Sequence, residues 1–514
     1  MNREPPVQPA PGATVLRPAS APRVPLADAV GHLRGARRVG PAALATGLTL
    51  ASGEVLPGDL FVALPGARTH GARFARAALA AGAIGVLTDE AGAADIPLGV
   101  AGIVAPDLRS QLGGFAAWFY GYPARSLRLV GVTGTNGKTT VAHLLEAALG
   151  AAGAKVALLG TIVARCDGVT IPSARTTVEA PALQAALAAM VERGVEACAL
   201  EVSSHALASH RVDGFVFDVA AFTNLGRDHL DFHGSMEAYF AAKTELFAPR
   251  HARRGVVFLG DAWARRLVAA RGVIPLETVS ADPADQPDWL VEVGRPEAVA
   301  TPFALVGRDG TRLESKAGLP GRHNVDNAAL ALVSAHAAGI DPVAAARAIA
   351  AAAPPPGRMQ AVPGPAGAPA VVVDYAHSPD SVAAALRALR PHTRGRLIAV
   401  LGAGGDRDQG KRAAMGAAAR RWADVVIVTD DNPRSEDPAR IRAAILAGAG
   451  AGAHEAPDRA DAIVLALAMA AEGDTVVALG KGHETSIDYG GELRPHQDAA
   501  VAALALSRIR EGGQ

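Results

Sequence analysis

The sequence predicts an α/β protein of three units, each a parallel sheet with crossover helices. Three observations predict it. Apolar strand-like runs alternate with Ala/Leu-rich helical stretches, as in "SLRLVGVTG" followed by "TTVAHLLEAALGAAG" and "RLIAVLGAGG" followed by "KRAAMGAAARRWA". That alternation is the pattern of βαβ units. Turn residues in "FYGYPARS" and three consecutive prolines in "AAAPPPGRMQ" interrupt it, and proline cannot continue a helix. A chain of 514 residues is also too long for one core and calls for roughly two to four domains.

The expected organisation is a Pro-rich flexible tail over 1–23, a first unit over 24–126, a central unit over 127–354 and a third over 355–514. The tail lacks the apolar stretch of about 7 to 15 residues that a signal peptide carries. No run of about 18 apolar residues occurs, so no membrane span is expected. Lys plus Arg and Asp plus Glu number 50 each, which gives no basic field for nucleic acid. With only Cys166 and Cys198, neither a disulfide framework nor a thiolate metal site is expected. A reducing cytoplasm fits this composition; a monomer acting on small molecules is the expectation.

The central unit opens with "RLVGVTGTNGKTTVAHLLEAAL". Strand, Gly-rich turn and helix follow in the order a P-loop needs. Backbone N–H groups around Gly134 and Gly137 would cradle phosphates at the helix N-terminus. Lys138 would reach the outer phosphates and Thr139 would ligate Mg²⁺. The usual pattern has a glycine where this chain has Val132, the first glycine here being Gly131. A guanine-binding switch protein would carry an Asn-Lys-x-Asp base reader, and none occurs.

"VEACALEVSSHALASHRV" delivers Glu201 at the C-terminal end of a buried strand, the edge where open α/β sheets bind ligands. A carboxylate beside a P-loop is a natural Mg²⁺ ligand. His229 follows in a polar loop and Lys243 in the next helix. Spacing alone favours a structural histidine for His229 and a solvated helix lysine for Lys243. Residues 286–316 carry no usable motif.

Taken in order, GTNGKTT, EVSSH, TNLGRDHLDFHG, AAK, LPGRHNVDNAALAL, PPPGRMQ, VVVDYAHSPDS, LGAGGDRDQGKR, TDDNPRSEDP and GKGHE span the chain from about residue 45. This set resembles the Mur ligase superfamily, ATP-dependent amide-forming ligases of peptidoglycan synthesis. The resemblance implies an N-terminal UDP-binding domain, a central P-loop ATPase-like domain and a C-terminal Rossmann-like domain for the incoming amino acid. It is closest to the branch that joins meso-2,6-diaminopimelate to UDP-N-acetylmuramoyl-L-alanyl-D-glutamate through an acyl phosphate.

The resemblance also implies roles. Gly134, Thr135, Asn136, Gly137, Lys138, Thr139, Thr140, Asn324, Asn327, Arg358, Asp374 and His377 would bind ATP. Two Mg²⁺ ions would be held, one by Thr139 and Glu201, the other by His229 and Lys243. Lys243 would carry a carbamate formed with CO₂ (N6-carboxylysine), turning a cation into an oxygen ligand. Lys138, His229 and Lys243 would be catalytic. Leu50, Ser52, Gly66, Thr176, Thr177, Ser203, Ser209 and Arg211 would hold the UDP-linked dipeptide. Here the chain departs from the family pattern: Ala51-Ser52-Gly53 stands where relatives have Asp-Ser-Arg, Arg175 replaces a common asparagine, and Ser209 a frequent glutamine.

Arg407, Asp431, Asn432, Pro433, Arg434, Gly480 and Glu484 would form the diaminopimelate pocket. In the family the arginine of Asp-Asn-Pro-Arg marks diaminopimelate addition and is missing from lysine-adding members. Diaminopimelate differs from lysine by a remote carboxylate, which a planar guanidinium can grip with two parallel hydrogen bonds. Glu484 would pair with the distal ammonium, and the neighbouring aspartates would serve the substrate's amines or orient Arg434. His205 is a candidate for orienting the second step, a structural role being an equal alternative. The rival readings are a lysine-adding ligase, a folylpolyglutamate synthase and an ATP-driven switch protein.

Overall fold

Alternating apolar runs and Ala-rich helices assemble into three main sheets in the computed structural model, which describes residues 16–511 apart from 67–68, 174, 271 and 298–299. The first sheet has five strands within Arg37–Val104, parallel except for the edge strand Arg37–Val39. The third has six strands starting at Gln360–Val362, with Ala370–Asp374, Thr475–Leu479, Leu397–Leu401 and Val425–Val428 parallel at its centre.

The central sheet has eleven strands. Its parallel middle runs Val156–Leu159, Ala197–Glu201, Arg128–Thr133, Phe217–Phe222 and Ala252–Phe258. These strands are buried on both faces, as parallel strands covered by helices must be; Val130, Val132, Ala199, Val219 and Val256 pack on one side, Leu129, Cys198, Leu200 and Ala220 on the other. Antiparallel strands extend both ends. Residues 286–316, without motif in the sequence, supply Trp289–Val293, Thr301–Gly307 and most of Arg312–Ala317 at one edge.

The units abut closely. A Cβ on Gly113 of the first unit would come within 2.3 Å of the Asp213 carbonyl of the second. One expectation needs correction. Of the tail expected over 1–23, residues 1–15 lie outside the described residues, and the part that follows is seated rather than loose: Leu16 is buried with Leu159 and Leu183 in the central core, and Arg17 pairs with Asp59 at 2.6 Å. A Pro-rich composition lowers burial on average, but one leucine beside one arginine is enough to anchor a short segment. Among the described residues no helix is long and apolar enough to cross a membrane.

Candidate active site

The P-loop follows strand Arg128–Thr133 and opens helix Lys138–Leu149. Gly134 and Gly137 have φ of 144° and 89°, where L side chains are strained. Space forbids a side chain as well: a Cβ would approach Thr223 Oγ1 to 1.8 Å at Gly134 and Asn327 Oδ1 to 2.3 Å at Gly137. The loop is braced by the next parallel strand. Thr135 N donates to Asn224 O at 2.9 Å, Asn136 N to Asn224 Oδ1 at 3.0 Å, and Thr223 Oγ1 to Asn136 O at 2.6 Å. Lys138 Nζ folds back on the loop, donating to the carbonyls of Gly134 and Thr135 at 2.8 and 2.9 Å. Burial lowers its pKa against the pull of Glu201 and Asp228.

Glu201 is fully buried at its strand end. Its carboxylate accepts from Thr139 Oγ1 at 2.9 Å, Thr161 Oγ1 at 3.0 Å and Thr161 N at 2.8 Å. A hydroxyl and a carboxylate side by side at the P-loop are the hard oxygen donors Mg²⁺ takes, so these residues fit the implied metal. Thr161 was missed by the sequence reading, although "LLGTI" follows a strand. Arg358, from the third unit, donates from Nη2 to the same Thr139 hydroxyl at 2.9 Å and lies over the Tyr375 ring at 4.5 Å. Its Nε is buried with no hydrogen-bond partner among the described residues.

Lys243 is buried, not solvated. Its Nζ donates to Gly134 O at 2.7 Å and lies 4.7 Å from the centre of the Tyr239 ring. Burial first, then the neighbouring Lys138 cation, pull its pKa well below the ordinary lysine value. A buried amine of this kind favours the neutral form, which is the form that adds CO₂. His229 lies against the same tyrosine, ring centres 6.0 Å apart. Burial pushes its pKa down to about 3 despite Asp228, keeping the imidazole neutral, as a metal ligand must be. Among the described residues no three His, Cys, Asp or Glu side chains form a metal cluster. His205 packs on His229 and Phe232 at 4.8 and 4.2 Å between ring centres, and burial holds its pKa at about 4.

Asp228, missed in the sequence, joins the second and third units. Lys411 Nζ donates to it at 3.1 Å and His377 Nε2 lies 3.4 Å away. Burial would raise its pKa, but these partners hold it well below the usual carboxylate range. Arg227 pairs with Asp408 beside it. Asp374 is oriented by its own unit, accepting from Met359 N at 2.7 Å and Ala376 N at 2.9 Å. Asn324 and Asn327 lie on the first turns of helix Arg322–Ala337, their side chains 3.4 Å apart. Together the P-loop from Thr135 to Thr140, Glu201, His229, both asparagines, Arg358, Asp374 and His377 line a cleft of about 450 Å³, the size of a small-molecule site.

Thr176 and Thr177 sit at the margin of this cleft. The Thr161 and Thr176 hydroxyls lie 3.0 Å apart, while Thr177 Oγ1 donates to Glu201 O at 2.8 Å and accepts from Ser203 N at 3.1 Å. Arg211 donates to Thr177 O at 3.1 Å and pairs with Glu179 at 2.9 Å. Ser209 ends the short helix Ser204–Ala208. Leu50, Ser52 and Gly66 belong to the first unit: Ser52 starts the 3₁₀ turn Ser52–Glu54, and Gly66 N bonds Thr69 O at 3.1 Å.

The remaining predicted residues gather in the third unit, outside the lining of that cleft. Strand Val425–Val428 ends in a loop where Arg434 has φ of 52°. Its N donates to Asp488 O at 2.9 Å and its Nη1 to Gly405 O at 2.7 Å. Gly404 separates Arg434 from Arg407: a Cβ there would meet Arg434 Nη1 at 2.8 Å and Arg407 Cγ at 3.8 Å. Asn432 is fixed by Lys481, which donates to its Oδ1 at 2.9 Å, and it donates in turn to Glu484 Oε2 at 2.8 Å. Glu484 is thus already paired with buried Lys481. The carboxylate left without a hydrogen bond among the described residues is Asp431, buried opposite Gly480, where a Cβ would reach its Oδ2 at 2.5 Å. Asp430 instead binds Arg442 and the Tyr489 hydroxyl.

A P-loop lysine, a threonine hydroxyl and a buried carboxylate, approached by an arginine from another unit, define a nucleotide-dependent phosphoryl-transfer site. The comparisons give the family. The Mur ligase middle domain matches residues 132–335, the Mur ligase glutamate ligase domain 357–482, and the Mur ligase family catalytic domain 45–120. The chain belongs to the Mur ligase family. It is 46% identical over 503 residues to the UDP-N-acetylmuramoyl-L-alanyl-D-glutamate--2,6-diaminopimelate ligase of Streptomyces coelicolor, covering 96% of this chain and 98% of that protein. It is 45% identical over 482 residues to the UDP-N-acetylmuramyl-tripeptide synthetase of Leifsonia xyli, covering 91% and 92%. A solved UDP-N-acetylmuramoyl-L-alanyl-D-glutamate--2,6-diaminopimelate ligase superposes with a TM-score of 0.61 at 34% identity, over 91% of this chain and 96% of that one.

Proposed function

We propose that this chain is an ATP-dependent ligase of peptidoglycan synthesis that joins meso-2,6-diaminopimelate to the D-glutamyl γ-carboxylate of UDP-N-acetylmuramoyl-L-alanyl-D-glutamate. The observation that carries the specificity is the pocket around Arg434, a guanidinium on a braced loop; three positions before it in the chain, the buried Asp431 carboxylate faces Gly480 and has no hydrogen bond among the described residues. Together they match a remote carboxylate and an ammonium. The relatives' identity over nearly the whole chain supports the same reading.

In this reading the first unit holds the uridine, the second ATP and the third the diamino acid. The D-glutamyl carboxylate attacks the γ-phosphorus, ADP departs, and an acyl phosphate forms. The amine of diaminopimelate then attacks the acyl carbon, and phosphate leaves with the amide. Lys138 exchanges the carbonyls of Gly134 and Thr135 for phosphate oxygens and stabilises charge on the transferring group. Arg358, already on Thr139, brings the third unit onto the nucleotide and helps exclude water from the acyl phosphate. Magnesium, held by Thr139 and Glu201 and at a second place by His229 and carbamylated Lys243, would supply the charge neutralisation that lets the γ-phosphate and a carboxylate meet. Asn324 and Asn327 face the nucleoside, and Thr176, Thr177, Ser203 and Arg211 the peptide.

The test is stoichiometric. Phosphate release should require both the UDP-linked dipeptide and diaminopimelate and should match amide formed one to one. Phosphate release that ignores the amino acid would contradict a ligase and favour a switch protein. Hydroxylamine added in place of diaminopimelate should yield a hydroxamate.

A further inference from the structure

Five residues ahead of the first sheet touch both the first unit and the loop of the central unit that carries Thr176 and Thr177. Leu16 is buried against the loop that carries Thr176 and Thr177: it shares a small apolar cavity with Ser173, Arg175, Thr176, Thr177 and Val178. The adjacent Arg17 turns to the first unit. It pairs with Asp59, whose side chain is almost wholly buried, and donates to Glu54 O at 3.3 Å, in the 3₁₀ turn that begins with Ser52. Two residues on, the backbone is clamped to the central unit, Ala19 N and Ser20 N each donating to one oxygen of Glu192 at 2.7 and 2.9 Å.

We propose that Leu16 and Arg17 are positioning residues for the UDP-linked substrate, and that Leu16–Ser20 is a strap setting the distance between the uridine-facing turn and the peptide-facing loop. The inference rests on the function proposed above. The physical reason is reach. A substrate with a nucleotide at one end and a peptide at the other must meet two surfaces carried by different units. Binding both ends at once is strong only if their separation is fixed beforehand, because otherwise the ordering cost falls on binding. Leucine is anchored by burial and arginine by a buried carboxylate, so the strap resists stretching at each attachment.

The full-length chain is tested with Leu16→Asp, which expels the apolar anchor, and Glu192→Lys, which removes the backbone clamp at an exposed helix end and leaves the core untouched. Leu16→Met should restore the anchor. In variants with unchanged circular dichroism, the KM for the UDP-linked dipeptide should rise about tenfold, a size typical of lost preorganisation, while the KM for ATP stays within about twofold. Binding of UDP alone, measured by calorimetry, should change little because it uses one end only. Equal loss of UDP, ATP and dipeptide binding, or an unchanged dipeptide KM in folded Glu192→Lys and Leu16→Asp proteins, would overturn the proposal. Failure of the underlying functional reading is separate: the unsubstituted chain would then form no diaminopimelate amide.

Discussion

The Thr139 hydroxyl donates to the Glu201 carboxylate at 2.9 Å, linking the first turn of the P-loop helix to the end of the neighbouring strand. The bond holds a carboxylate with no solvent contact at the place where a phosphate-bound cation would sit. Glu201→Gln keeps the shape and removes the charge. It should weaken magnesium dependence at least 10–100-fold, the range set by ligand-shell changes, with circular dichroism unchanged. Titrating activity with MgCl₂ checks this; an unshifted magnesium midpoint would argue that Glu201 is structural.

Lys243 gives a second prediction. Its amine donates to one acceptor among the described residues, Gly134 O, and burial lowers its pKa toward the neutral form. Lys243→Met, apolar and similar in length, should fold at least as well, since no ammonium has to be desolvated. Its turnover should fall about 10²–10³-fold, as when a preorganised electrostatic group is lost. With ¹³C-bicarbonate, the wild type should give a carbamate carbon resonance that the variant lacks.

Acid stability reports on the buried Arg459–Asp498 pair, 2.7 Å apart and fully out of solvent. Burial alone would raise the Asp498 pKa; the Arg459 guanidinium, with His496, holds it well below the usual carboxylate range. The folded state therefore binds this proton less readily than the unfolded chain. The pair's contribution is fully present above the ordinary carboxylate pKa of about 3.9 and is lost as pH falls below it toward the folded value. Arg459 also donates to the carbonyls of Asp430 and Leu479, beside the Arg434 loop and Gly480. Arg459→Leu should cost about 3–5 kcal/mol at pH 7, measured by urea unfolding.

The closure contacts make a fourth. Asp228→Asn weakens the hold of Lys411 and His377 on the central unit. Its kcat should fall while UDP affinity, assigned to the first unit in the proposed function, stays constant. Small-angle scattering should show a less compact unliganded chain.

What the sequence made legible was local. Gly134 and Gly137 stand where only glycine fits, and Glu201 ends a strand on the ligand-binding edge; both follow from short stretches read in order. Partners far apart in the chain were not legible. Asp228 meets Lys411 across 183 positions, and helix spacing made Lys243 look solvated because nothing local announces the loop and tyrosine that bury it. Glu484 was expected to face the substrate, yet three residues away Lys481, wholly buried, takes it. That left Asp431 as the unpaired acid, an outcome dependent on which of several carboxylates each cation reaches.

In the proposed function Arg434 recognises the remote carboxylate of the incoming diamino acid. The most direct measurement compares amide formation from meso-diaminopimelate and from L-lysine in the wild type, Arg434→Lys and Arg434→Ala. Loss of one partner of a desolvated, hydrogen-bonded charge pair costs roughly 2–5 kcal/mol. Both variants should therefore lose at least about thirtyfold in kcat/KM for diaminopimelate, with the KM for ATP nearly constant and the preference over lysine largely erased. Unchanged diaminopimelate kinetics in either variant would contradict the account.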